Sequence, residues 1–126
     1  MAEALPERLR TRVAKFQQLQ NELQLVILRR QQVELQLKDV EAALNEISKA
    51  LEKGEGLKLY KLVGPILVSA EVEELKKELE EKKEIMEVRL KTLQKHENLL
   101  RKQVEDLRKE LEKELRQPST ETTEAG

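Results

Sequence analysis

Apolar residues recur through the first half of the chain in alternating steps of four and three. They fall at Leu5, Leu9, Arg12, Phe16, Leu19, Leu23, Val26, Arg30, Val33, Leu37, Val40, Leu44, Ile47 and Leu51, and twelve of these fourteen positions are apolar. A mean spacing of 3.5 residues marks a coiled-coil seam. In the second half one row keeps a strict interval of seven: Val72, Leu79, Met86, Leu93, Leu100 and Leu107. Its companion row, Leu75, Leu90, Val104 and Leu111, is interrupted by Lys83 and Glu97, so the second seam is the weaker.

Glycine and proline punctuate these rows at three places only. Residues 7–53 and 66–117 contain neither, and both stretches are rich in good helix formers. Pro6 stands where a helix tolerates proline, in the first turn. The pattern predicts helices over about 7–53 and 70–116, each of 47 residues and roughly 70 Å. Equal lengths around a short insert predict one mostly α domain, 1–117, built as a long antiparallel two-helix coiled coil. Each helix covers the other's apolar stripe, worth roughly 1.5–3 kcal/mol per well-buried leucine. A parallel coil between two chains fits the central breakers less well. Residues 118–126 are small and polar, which predicts a disordered tail.

The insert reads as a β-hairpin over about 57–68, two short apolar runs flanking Gly64-Pro65. Gly54 and Gly56 would form its joint with the first helix. Ser69 is placed to cap the second helix, and Glu71, Glu73 and Glu74 would sit favourably at its positive end. A lone hairpin is marginal in water. This one carries Leu57, Leu59, Tyr60, Leu62, Val63, Ile66, Leu67 and Val68 and has unpaired outer edges, which predicts an oligomer joined strand to strand. The alternative is an apolar loop packed against its own helices. Two arginines also stand in the first seam. Either they snorkel to water, or Arg30 fixes the register against a carboxylate of the second helix, for which Glu97 is the candidate.

Composition narrows the chemistry. Charged residues make up 39% of the 126, aromatics 2% (Phe16 and Tyr60), and there is neither Cys nor Trp. So little aromatic material argues against a deep walled pocket, and hence against an enzyme. The 24 Lys and Arg nearly cancel the 25 Asp and Glu, so no global field points to nucleic acid or an anionic membrane. Absent cysteine excludes a disulfide scaffold, thiol catalysis and Cys-ligated zinc. His96-Glu97 begins a zinc-protease motif, but Leu100 stands where the second histidine is needed. With one His no imidazole and thiolate metal site assembles, and no glycine-rich phosphate loop is present, so no metal and no cofactor are expected. No apolar run approaches the ~18 residues of a membrane span. The first residues lack the basic and apolar regions of a signal peptide, giving a cytoplasmic expectation.

Between two arms of matched length, the segment Leu59-Tyr60-Lys61-Leu62-Val63-Gly64-Pro65-Ile66-Leu67-Val68 resembles the β class of the prefoldin family. Asn21-Glu22-Leu23-Gln24-Leu25-Val26-Ile27-Leu28 and Met86-Glu87-Val88-Arg89-Leu90 are similar to that family too, as is the polar tail. One hairpin matches the β class; the α class carries two. High Glu and Lys without Cys lean toward a thermophilic archaeal member, while ten Gln lean the other way.

The resemblance implies a molecular chaperone subunit working without ATP, in a heterohexamer of two α and four β subunits. Its hairpins would join a β-barrel body, and its coils would capture unfolded client proteins and deliver them to a group II chaperonin. Client contact in the family lies at the coil tips, which here are Leu5, Leu9, Val13 and Phe16 with Leu107, Leu111 and Leu115. Val13 and Leu115 lie off both seams and are expected to stand exposed. Lys109, Lys113, Arg116 and the tail resemble the part that meets chaperonin. A rival reading uses the same heptads for a purely structural scaffold or filament subunit that holds no client.

Overall fold

The computed structural model describes residues 6–54, 56 and 58–116. Leu5, Leu57 and the tail at 118–126 lie outside the described residues. In chain order the elements are α1 (Glu7–Glu52), β1 (Leu59–Val63), β2 (Ile66–Ala70) and α2 (Val72–Arg116). The fold is mostly α, two long helices joined through one antiparallel hairpin, as the breaker pattern predicts.

Each helix boundary has a local cause. The Pro6 carbonyl accepts the first intrahelical hydrogen bond, from Arg10 N–H at 2.9 Å, so proline stands outside the ladder that it cannot join. After Glu52 the chain leaves the helix through Gly54, whose φ of +68° is left-handed and whose N–H donates back to the Leu51 carbonyl at 3.2 Å. Gly64 is the second left-handed residue, φ +58°, followed by Pro65 with its fixed φ. Left-handed first and proline second is the pattern of a primed two-residue turn, the kind whose twist suits a hairpin. The register follows: Val63 opposes Ile66, Leu62 opposes Leu67, and Leu59 opposes Ala70.

The expected cap at Ser69 is corrected. β2 continues to Ala70, and Ser69 pairs with Tyr60 inside the ladder. The capping position falls to Glu71, whose carbonyl accepts from Leu75 N–H at 3.0 Å, with Glu73 and Glu74 in the first turn as expected. Extending the ladder to Ala70 takes Ser69 into the strand and leaves Glu71 as the residue before the helix.

Two compact units divide the chain. The first holds the described residues up to Arg29 and those from Leu93 onward. Its core is Leu19, Val26 and Leu100, with Leu23, Leu93, Val104 and Leu107 packed around them. The second, Arg30–Thr92, buries Val33, Leu37, Val40, Ile47 and Met86 and carries the hairpin. The rows mark the covered faces: most of the first row's apolar positions are buried, while in the second row Met86, Leu100 and Leu111 are buried and the other apolar positions half-buried. Of the described positions in the first row only Leu51, in the final turn of α1, is exposed. In the second row even the interruptions face inward, with Lys83 half-buried and Glu97 only 7% exposed. Glu97 accepts a hydrogen bond from Arg101 at 2.9 Å, and Arg30 donates to Glu34 at 2.8 Å.

Candidate functional site

Two surfaces stand out, and the hairpin is the first. Side chains alternate along a strand. Leu59, Lys61, Val63, Ile66, Val68 and Ala70 therefore share one face, and Tyr60, Leu62, Leu67 and Ser69 the other. Neither face is covered. Leu62, Ile66, Leu67 and Tyr60 are 67%, 61%, 66% and 58% exposed, and only Leu59 and Ala70, at the base, are half-buried. The alternative of an apolar loop packed on its own helices therefore does not hold.

One polar contact ties the hairpin to α2. Lys61 Nζ donates to Glu78 Oε2 at 2.8 Å. The Lys61 face leans over the start of the helix and forms an open groove with Leu75 and Glu74, lined on the sheet side by Val63, Val68 and Ala70. The two-stranded sheet also leaves one edge of each strand unpaired among the described residues. An exposed apolar sheet with free edges has the chemistry to pair with a further strand.

The second surface lies where the start of α1 meets the end of α2, within the first unit. Leu9 and Leu111 are buried, and Phe16, Leu107 and Val13 are half-buried. Leu115 is 58% exposed. The expectation that Val13 and Leu115 both stand free holds for Leu115 alone. Val13 lies four residues after Leu9 and three before Phe16, so it shares their side of the helix and takes partial cover from the seam. Leu5 lies outside the described residues. Between these apolar groups Arg12 Nη1 donates to Glu114 Oε1 across the two helices. Arg12 thus has a partner on the facing helix where snorkelling was one reading.

Just before these residues in α2, charged side chains pair along a half-exposed face. Arg108 Nη2 meets Glu105 at 2.7 Å and its Nη1 meets Glu112 at 2.6 Å. The hydrogen bond from Arg108 holds the Glu105 carboxyl below the usual carboxylate range, and Glu105 in turn raises the guanidinium. Lys109, Lys113 and Arg116 are exposed.

Some exposed apolar groups escaped the sequence reading. Leu25, Leu28 and Leu35 on α1, and Ile85, Val88 and Leu99 on α2, are all more than half exposed. The signal for them was present: each is apolar yet skipped by both seam rows. Among the described residues no group of three or more His, Asp or Glu is placed to hold a metal ion, and no helix is long and apolar enough to cross a membrane.

Comparison with known proteins adds to this geometry. A family model described as prefoldin subunit matches residues 10–118. The prefoldin subunit beta of Archaeoglobus fulgidus is 45% identical over 75 residues, 60% of this chain and 62% of the relative. That of Caldivirga maquilingensis is 38% identical over 79 residues, 63% of each chain. The chain therefore spans a little over three fifths of the length of these curated relatives. Among solved structures, the crystal structure of the prefoldin beta subunit from Thermococcus strain KS-1 matches with a TM-score of 0.74 and 30% sequence identity. That match covers 93% of this chain and 100% of the other.

Proposed function

The chain belongs to the prefoldin family, and from that premise we propose that it is a β-type subunit of a chaperone complex, without a catalytic step of its own. Four copies would join two α subunits through their hairpins, in the cytoplasm, and the coils would hold unfolded proteins and pass them to a group II chaperonin without ATP. Of the whole geometry, the uncovered hairpin carries this reading. An apolar two-stranded sheet exposed on both faces and both edges is costly in water unless other strands complete it. Hairpins of neighbouring subunits are partners of the right chemistry. In this reading Leu57, Leu59, Tyr60, Leu62, Val63, Ile66, Leu67 and Val68 make the assembly surface.

Client contact is assigned to the coil end: Leu5, Leu9, Val13 and Phe16 with Leu107, Leu111 and Leu115. The exposed Leu115 supports it, as do the shallow burial of Val13, Phe16 and Leu107. Several weak contacts from arms on one body gain through avidity what no single arm supplies. The test is to add the assembled complex to a chemically unfolded protein on dilution and follow light scattering without ATP. Suppressed aggregation supports the reading; scattering equal to that of the client alone refutes it.

A further inference from the structure

The ion pair Arg12–Glu114 occupies a place where an apolar contact would serve stability better. Arg12 stands in the seam row between Leu9 and Phe16, and most positions of that row are apolar. Its partner belongs to the facing helix, and the two side chains keep only 37% and 24% of their exposure. On α2, Leu111 and Leu107 lie one and two turns inward from Glu114, and Phe16 lies one turn inward from Arg12. Helices separating from this end must break the pair before these three side chains leave the seam. Further inward, Leu19, Val26 and Leu100 form the closed core of the unit and set where such an opening stops.

We propose that Arg12–Glu114 is an electrostatic clasp that gates the apolar surface of the coil end, so that Phe16, Leu107 and Leu111 become available to an unfolded chain when it opens. The proposal rests on the reading that the coil end holds clients and adds to it how that surface is covered and released. A partly exposed ion pair is a weak closure, which suits a gate that a client must open by binding. Local opening of the last turns of a structure is also its least costly opening. Ionic strength then acts on the gate, because salt screens charges that retain solvent contact.

The test uses the assembled complex carrying this chain, followed by amide hydrogen exchange and by aggregation suppression. Glu114→Gln is expected to speed exchange in residues 8–16 and 107–116 by about twofold to fivefold while leaving residues 19–28 unchanged. The charge-swapped double variant R12E/E114R is expected to return to the wild-type rate. Arg12→Leu, which completes the apolar seam, is expected to slow exchange, and client holding is expected to fall with it. In 1 M salt the wild-type chain is expected to approach Glu114→Gln. Unchanged exchange in Glu114→Gln at low salt overturns the clasp. Altered exchange with unaltered holding overturns the gate, and Leu115→Ser tells the two failures apart: if it also leaves holding intact, the coil-end reading itself has failed.

Discussion

Leu62 and Leu67 stand directly opposite each other across the hairpin, and each leaves about two thirds of its surface in water, 67% and 66%. A cross-strand leucine pair is normally core material. Here it lies uncovered, so replacing it costs little within the subunit and a great deal wherever another sheet covers it. Leu62→Glu together with Ile66→Lys is expected to leave the helical circular dichroism unchanged and to abolish the assembled mass. An unaltered native mass would remove the hairpin from the interface.

Gly64 needs its glycine for backbone conformation alone. Its φ is +58°, and nothing lies within 4 Å of where a Cβ would be. Gly64→Ala is therefore expected to cost about 1–2 kcal/mol from left-handed strain, felt by the hairpin rather than by the coil. Exchange at the amides of β1 and β2 reads this; protection equal to wild type would show that the turn is not strained.

Leu115 offers a test of client holding that leaves stability nearly untouched. With 58% of its surface exposed, Leu115→Ser is expected to change stability by no more than about 0.5 kcal/mol, yet to weaken suppression of client aggregation. Val13→Ser, at a half-buried site, adds to the loss at some cost in melting temperature. Full suppression by the double variant in an intact complex would defeat the assignment.

The opposite result is expected in the closed core. Leu100 is 3% exposed and packs with Leu19 and Val26. Leu100→Ala is expected to destabilise the coil by about 2–5 kcal/mol, measured by denaturant unfolding, and a loss below 1 kcal/mol would contradict the packing.

Arg108 makes a local prediction in pH. Its hydrogen bond keeps the Glu105 carboxyl below the usual carboxylate range. A depressed folded value means that the contribution is present above the unfolded value and is lost as pH falls through the folded one. Arg108→Gln is expected to bring the Glu105 titration, followed by carboxyl carbon NMR shifts, back up toward the ordinary range. Both side chains keep nearly half of their exposure, so salt weakens the effect. No change in the Glu105 titration would break the link.

What the sequence made legible follows from steric demand. Two facing helices can cover only one stripe each, so Leu19, Val26, Met86 and Leu100 had to fall in rows, and the rows located the core. Gly54 and Gly64 were readable for a similar reason, since a left-handed turn leaves few residues to choose from. Ser69 misled because a capping serine and a strand serine look alike; only the ladder partner Tyr60 decides between them. Val13 misled because a row has no width, whereas a real seam shelters its flanks. The partner of Arg12 was missed for want of a register at the coil end, which one residue of slippage would alter. That the hairpin lies uncovered was legible in its apolar and aromatic positions between Leu59 and Val68, but what covers it is not written in one chain.

Native mass spectrometry of the tagged chain, purified gently from its source cells, tests the central claim most directly. The account predicts four copies of this chain with two of a distinct small coiled-coil subunit. A lone dimer, or an open-ended polymer with no second subunit, would contradict it.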